Sequence, residues 1–396
     1  MLDVDTILKK AIAGERISFE EGVFLYHKAP LDVLADAAHQ VRSRKTDPRI
    51  VTYLVDRNIN YTNVCITNCQ FCAFYRPPGH PEAYVLSFEE IGRRVAELVT
   101  WGGTRILMQG GHHPDLPLAW YEDLLRYLKE RFPSIEIDAF SPSEIEHIAQ
   151  LENMSTRKVL ERLIQAGLEG LPGGGAEILD DEIRSRISPK KQKTEGWLNV
   201  MREAQALGLA TSATMVIGFG ETVVHRIRHL ERIRSLQDES RQTHGNGFTA
   251  FIPWTAQINQ ATSLGRSKTH HRYGADYQEY LHHLAFSRLY LDNFEHIQAS
   301  WLTQGEEVAR KALHFGADDF GSTMLEENVV SAAGAFSEKK PRMSVYDLHQ
   351  NILKAGFWPA QRDTRYNIVR TFDRVMSEEE LAPQSMQHPL ATPELK

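Results

Sequence analysis

The chain has 396 residues, 42% of them hydrophobic and 24% charged, an ordinary globular composition with apolar material for one large core or two modest ones. A net charge of −7 gives no support to nucleic-acid binding, which favours a basic domain, and no apolar run approaches the length of a membrane span. The N-terminal stretch mixes charge into a helical pattern and lacks the apolar centre of a secretory signal, so a cytoplasmic protein with no membrane insertion is expected.

Residues 2–46 read as helical, with apolar side chains at helical spacing through 31–38, and are expected to form an N-terminal cap over 1–47. From residue 49 the pattern alternates between apolar strand-like runs, polar or Gly/Pro-rich loops and amphipathic helices. Strands are expected at 50–55, 105–108, 135–140, 168–171, 210–217, 248–252, 297–301 and 317–321. Helices are expected at 88–100, 118–131, 156–166, 195–207, 223–236, 278–293 and 306–314. Strands followed in turn by helices predict a parallel sheet with βα crossovers, an α/β fold closed as a (β/α)8 TIM-type barrel over 48–330. A C-terminal extension over 331–396 follows, with a basic segment at 338–342, a helix at 344–355 and a polar tail from Ser377 that is expected to fray.

Chemistry in such a barrel sits at the C-terminal ends of the strands, and the polar outliers fall there. The loop after the first strand holds all three cysteines of the chain, Cys65, Cys69 and Cys72, spaced C-x3-C-x2-C. Three thiols in eight residues suit a [4Fe–4S] cluster with one iron left open, since cluster ligation normally takes four cysteines. A structural zinc completed by His80, a redox pair at Cys69 and Cys72, and buried free cysteines are the alternatives. Gly173-Gly174-Gly175 lacks the spacing of a phosphate loop and reads as a tight turn, which leaves Glu177 unexplained. His112 and His113 sit beside Gly110-Gly111, where loop structure accounts for them. Asp292 and Glu326 are the carboxylates to inspect for substrate binding or proton removal, although Glu326 also suits a helix N-terminus.

The cysteine run, with Phe71 before its last cysteine, resembles the C-x3-C-x-Φ-C hallmark of the radical S-adenosylmethionine (SAM) enzymes. Gln109-Gly110-Gly111-His112 is similar to that family's glycine pair. The run TMVIGFGE (214–221) is similar to its G-x-I-x-G-x-x-E segment, with Thr214 and Val216 as departures. The resemblance implies a full or partial barrel, a [4Fe–4S] cluster on Cys65, Cys69 and Cys72, and SAM on its open iron. By the same resemblance Phe71, Gly110, Gly111, Ser141 and Glu177 belong to the SAM pocket.

Longer blocks, among them CAFYRPPGHPEAYVLS, ILMQGGHHPDLPLAWYEDLL and FGADDFGSTMLEENVVSAAG, resemble the cyclic dehypoxanthinyl futalosine synthases, radical SAM cyclases of the futalosine route to menaquinone. This second resemblance implies dehypoxanthine futalosine as substrate. It also implies hydrogen abstraction at ribose C4′ by a 5′-deoxyadenosyl radical, closure onto the benzoate ring, and loss of one electron and one proton. An external one-electron reductant such as flavodoxin or ferredoxin is implied as partner. Phe248, Phe251, Trp254 and Trp301 are expected to pack the ring, and Arg57 or a rim amide to meet its carboxylate. Sister families, aminofutalosine synthase and the deazaflavin synthases, share the cluster motif. A zinc-stabilised binding protein would account for the cysteines but not for the other polar rim loops.

Overall fold

In the computed structural model, which describes residues 2–333 and 343–382, three helices precede the first strand: Val4–Ile12, Phe19–Lys28 and Leu31–Lys45. The basic segment at 338–342 and the tail beyond 382 lie outside the described residues. Asp3 caps the first helix and Ser18 opens the second with a capping box, each satisfying amides the first turn would leave unpaired. Their apolar faces bury Leu8, Leu25, Leu34 and Ala38, and the third helix packs on helix Tyr277–Tyr290.

Eleven strands follow among the described residues: β1 (Ile50–Leu54), β2 (Asp56–Ile59), β3 (Arg105–Met108), β4 (Glu136–Ala139), β5 (Gly170–Leu171), β6 (Ala210–Ile217), β7 (Phe248–Thr255), β8 (His296–Ile297), β9 (Asp319–Ser322), β10 (Trp358–Arg362) and β11 (Ile368–Thr371). Strands β2 to β8 lie side by side in chain order, every neighbouring pair parallel, as one curled sheet. The gap between its edges is spanned by β9. That strand pairs in parallel with β1, and its segment also bridges Gln298 just after β8 and Arg57 on β2. Helices Phe88–Thr100, Leu118–Arg131 and Thr156–Ala166 cover the outside with the bounds their periodicity predicts. No helix among the described residues is long and apolar enough to cross a membrane.

Four expectations need correction. The single strand at 50–55 is two strands broken at Val55, because β1 pairs with β10 while β2 pairs with β3. The strand at 297–301 is only β8, and residues 301–304 form the helical turn Trp301–Gln304. Residues 142–151, absent from the expected helices, form helix Pro142–Leu151, with Ser141 as N-cap and proline at the first turn. The extension contributes two strands that the sequence hides. Trp358-Pro359-Ala360-Gln361-Arg362 contains a proline and a charge, which demote a segment as a strand, yet it pairs in parallel with β1.

Alternation along β6 and β7 turns Ala210, Ser212, Thr214 and Val216, and Ala250, Ile252 and Trp254, toward the barrel interior. Barrels of this kind usually fill that space with layers of bulky branched side chains. Here small residues at most of these positions leave a cavity of about 350 Å³, and it organises the site.

Candidate active site

At one end of the cavity lies the loop after β2. Cys65, Cys69 and Cys72 all line the space, and none forms a disulfide. Backbone pairing fixes the loop: Cys65 N donates to Arg76 O at 2.9 Å, and Cys72 N donates to Cys69 O at 3.1 Å. The Thr67 hydroxyl sits 2.9 Å from Cys65 Sγ and 3.6 Å from Cys69 Sγ. Burial pushes the Cys69 thiol up to about 11 and raises Cys72, although the Tyr75 and Phe74 amides pull Cys72 the other way. Phe71 also lines the cavity, with its ring centroid 5.1 Å from that of Phe219. Glu221 holds the Phe219 turn by accepting from Gly218 N at 2.9 Å and Phe219 N at 2.7 Å, the structural role of the acid in TMVIGFGE.

The glycine pair after β3 is required by close approach. A Cβ on Gly111 would stand 2.1 Å from Val64 O, and one on Gly110 would stand 2.4 Å from the Tyr61 ring. So the Gly110-Gly111 backbone lies directly against the cysteine loop. Glu144 anchors it from the first turn of helix Pro142–Leu151. Its buried carboxylate accepts from Gly110 N at 2.9 Å, Tyr61 OH at 2.7 Å and Ser141 Oγ at 2.6 Å. Burial pushes Glu144 up to about 7, against the pull of those three donors. His112 lines the same wall, and burial, with Lys191 and His147 nearby, holds it well below the usual histidine range.

Glu177 and Lys191 form a third wall. Glu177 lies in the left-handed region at φ 41°, pinned where its carbonyl accepts from Val216 N at 2.8 Å. Its carboxylate meets Lys191 Nζ at 2.9 Å, and both side chains are largely buried. Burial alone would lower Lys191, but the Glu177 carboxylate and the nearby Cys69 outweigh it and the ammonium is held above its usual range.

The far end is ionic. Arg105 bridges Asp56 and Asp138, with Nη1 3.0 Å from Asp138 Oδ2. Arg362, the last residue of β10, grips Asp319 through Nε at 2.5 Å and Nη2 at 3.1 Å, and its guanidinium lies 3.8 Å over the Tyr366 ring. Arg105, Asp138, Arg362, Thr364 and Tyr366 line the cavity, so the C-terminal extension supplies part of its floor. Burial pushes Asp138 up to about 6 despite Arg105, and its Oδ1 has no partner among the described residues. The Trp254 indole N–H is also unpartnered there and belongs to the lining.

The cavity thus brings together Cys65, Cys69, Cys72, Phe71, Gly110, Gly111, Ser141, Glu177 and Trp254 from the residues singled out in the sequence. Six others lie elsewhere, of which Phe248 and Phe251 are buried against Phe294 rather than lining the cavity. Arg57 lies on the outer face of β2, where it pairs with Glu97 of helix Phe88–Thr100 at 2.7 Å and with Glu326 at 2.8 Å. Glu326 is taken up by Arg57 and Arg94. Asp292 lies before β8 rather than after it, so it faces the N-terminal cap and pairs with Arg16 at 2.9 Å. Trp301 is buried, and its indole N–H donates to Ser322 O at 3.0 Å. Among the residues not singled out as site residues, Asp138 carried a signal: an acid between Ile137 and Ala139 near the C-terminal end of β4. Lys191 and Arg362 carried none, because a basic run and a strand end both look solvent-exposed.

The donor set fits a cluster better than a single ion. Tetrahedral zinc at about 2.3 Å from each sulfur needs ligand atoms about 4 Å apart. Among the described residues, the His, Cys and carboxylate trio that converges within 4.8 Å is Asp180, Glu182 and His225, not the cysteines. That trio itself is poorly made for a cation. His225 Nδ1 accepts from Thr222 N at 3.0 Å, so Nε2 keeps its proton, and Arg228 lies 3.6 Å from Asp180. His80 is turned from the cavity and accepts from Glu82 N at 3.1 Å. Three sulfurs spread along one end of an enclosed space match the larger footprint of a [4Fe–4S] cluster with an open iron facing the cavity.

Residues 59–233 match the Radical SAM superfamily, and residues 245–375 match the CofH/MqnC C-terminal region. Cyclic dehypoxanthine futalosine synthase of Halalkalibacterium halodurans is 46% identical over 385 residues, covering 97% of this chain and 100% of that protein. Aminodeoxyfutalosine synthase of Thermus thermophilus is 39% identical over 370 residues, covering 93% and 96%. Among solved structures, methylornithine synthase (PylB) aligns at a TM-score of 0.67 with 20% identity, covering 89% of this chain and 97% of that one, a likeness of fold. The chain belongs to the radical SAM superfamily, in the family of the cyclic dehypoxanthine futalosine synthases.

Proposed function

We propose that this enzyme is the radical SAM cyclase that converts dehypoxanthine futalosine to cyclic dehypoxanthinyl futalosine in menaquinone biosynthesis. The observation that carries the proposal is one cavity with the three cysteines at one end and room beside them for a nucleoside and an aromatic ring. The full-length relatedness to a protein named for that reaction selects the substrate. The cofactors are a [4Fe–4S] cluster and SAM, which when bound supply a hydrogen-abstracting 5′-deoxyadenosyl radical. The substrate loses hydrogen at ribose C4′, closes onto its benzoate ring, and regains aromaticity by releasing one proton and one electron.

The chain's own residues hold and shield the reactants. Cys65, Cys69 and Cys72 would ligate the cluster. The Gly110-Gly111 backbone, Ser141, Glu177 and Phe71 would line the SAM end, with Glu144 fixing the glycine turn from behind. Trp254 would pack its ring against the substrate, and Asp138, which also lines the cavity, would take the released proton. The ionic floor closes the far end, so two parts of one substrate are held together away from water. An external one-electron reductant of the flavodoxin or ferredoxin type supplies the electron that cleaves SAM, the electron released on cyclisation balances it in the overall stoichiometry, and a cluster held by free thiols suits a reducing cytoplasm.

The test is anaerobic purification and reconstitution with iron and sulfide, then incubation with SAM, a reductant and dehypoxanthine futalosine. About four irons per chain and a product two mass units below the substrate are expected. SAM cleavage without that product would transfer the chain to a sister activity. Failure to take up iron would refute the proposal.

A further inference from the structure

Cys72 is a wall between two spaces. On one side it lines the barrel cavity, and on the other a surface recess edged by Arg76, His80 and Arg266. Of the three cysteines, Cys72 alone lines both. The recess lies where two cationic segments hold the cysteine loop. Residues 183–194 contain Arg184, Arg186, Lys190, Lys191 and Lys193 and no acid, and residues 257–275 contain Arg266, Lys268 and Arg272 and no acid, in a chain of net charge −7. Both segments bond to the residue between Cys69 and Phe71: Gln70 N donates to Ile187 O at 2.8 Å, and Gln70 O accepts from Leu264 N at 2.9 Å. Lys190 Nζ reaches Ile66 O at 3.4 Å, and the Ile66 side chain is 40% exposed. Arg186, Lys190, Lys193, Arg266, Lys268 and Arg272 are all exposed, whereas Arg76 is balanced by Glu82.

We propose that this face is the docking surface for an acidic one-electron carrier protein, which delivers its electron to the cysteine-held group through the Cys72 side. The inference rests on the cluster assignment made above. One electron leaves the carrier, which is oxidised by one equivalent; no bond forms or breaks and no proton moves. The chemistry of the partner follows from complementarity. Exposed cations on the two segments that hold the cysteine loop steer and orient an anionic surface, and redox encounters use small, charge-guided interfaces of this kind. In a chain of net charge −7, these exposed cations give the outside of the redox loop a local charge that does not repel such a carrier.

The experiment uses reconstituted holoenzyme and two labelled acidic probes, a flavodoxin and a plant-type ferredoxin, titrated at low and at high salt. Lys190→Glu/Lys268→Glu changes two exposed residues outside the cavity and leaves Arg266, which braces its own turn, in place. Lys9→Glu/Lys28→Glu on the N-terminal helices is the control of equal net charge. The expected result is carrier binding that weakens with salt, weakens about tenfold more in Lys190→Glu/Lys268→Glu, and is unchanged in the control. SAM cleavage driven by dithionite should be the same in all three proteins. Binding that ignores the Lys190/Lys268 reversal, falls equally in the control, or is absent for both carriers overturns the docking surface. Iron content and colour, read on the same samples, report separately on the cluster assignment.

Discussion

Glu144 allows the link between burial, hydrogen bonding and the cofactor wall to be tested with two substitutions. Its carboxylate is the acceptor for Gly110 N, Tyr61 OH and Ser141 Oγ. In Glu144→Ala the Ser141 hydroxyl can turn to Ser143 Oγ, 3.3 Å away, but the Gly110 amide and the Tyr61 hydroxyl lose their acceptor. Two buried donors at about 1–3 kcal/mol each sum to roughly 2–6 kcal/mol. With an unfolding entropy of roughly 0.8 kcal/mol per kelvin for a chain of this length, that is a fall in Tm of about 3–7 °C. Glu144→Gln keeps one oxygen for Gly110 and Tyr61, so its Tm at neutral pH should stay within about 2 °C of wild type. The two proteins should separate with pH. Because folding raises the Glu144 carboxyl from 4.5 to about 7, the folded state holds a proton the unfolded state has lost across that window. Wild-type stability relative to Glu144→Gln therefore falls as pH rises from 4.5 to 7 and is level above it, by about 3 kcal/mol in all. Calorimetry at pH 5 and pH 8 should show wild type losing about 3 °C against Glu144→Gln. A pH-independent difference would refute the buried-carboxyl assignment, and equal Tm for Ala and Gln would refute the hydrogen-bond argument. SAM affinity adds a functional reading: Glu144→Ala, with its glycine turn released, should bind SAM at least about tenfold more weakly than Glu144→Gln.

Other expectations follow from the same cavity. Arg362→Met leaves Asp319 buried with Thr52 and Gly321 as its remaining donors, and should cost about 3–5 kcal/mol, read as a Tm loss of roughly 4–6 °C. A second change, Asp319→Asn, should recover part of that loss. Gly111→Ala places a methyl against Val64 O and must displace the Cys65 segment, so reconstituted iron should fall to about half or less of the wild-type four per chain. Trp254→Ala removes the ring from the cavity wall, and should raise KM for dehypoxanthine futalosine about tenfold with SAM affinity unchanged. Arg57→Met should lower Tm but leave that KM at the wild-type value, since Arg57 faces the helix layer; a raised KM would return Arg57 to the substrate site.

The parts of this site that could be read from sequence are those written in local spacing. Three cysteines in eight residues, a Gly-Gly pair ending a strand, and a Gly-Gly-Gly turn followed by an acid are each visible in a short window, and all of them line one cavity. What spacing does not encode is facing. Arg57 and Trp301 sit beside inward-pointing residues, and only the register of β2 and the early end of β8 turn them away. Asp292 fails for a related reason: a carboxylate just before a strand is at the opposite end of the barrel from one just after it. Lys191 is a further case, since its burial goes with pairing to Glu177 in one wall of the cavity and not with its neighbours in the Lys-Lys-Gln-Lys run.

The floor shows why the extension belongs to the chemistry. Across the cavity's far end, Asp56, Asp138 and Asp319 face Arg105 and Arg362, so the ionised cluster carries one excess negative charge. All five are paired in the geometries observed, Arg105 being shared by Asp56 and Asp138, and Asp138 keeps one oxygen without a partner among the described residues and a carboxyl raised to about 6. Arg362 satisfies Asp319, which without it would keep only Thr52 and Gly321 as donors. Arg362 reaches the floor only because β10 adds to β1 in parallel and the following turn stacks Tyr366 beneath the guanidinium. The extension therefore does two things with one hairpin. It closes the barrel against water at the end away from the cysteines, and it brings Arg362 and Tyr366 into the cavity lining. The radical cyclisation proposed for this cavity requires such closure, and the small side chains of β6 and β7 leave the room above the floor that the substrate needs.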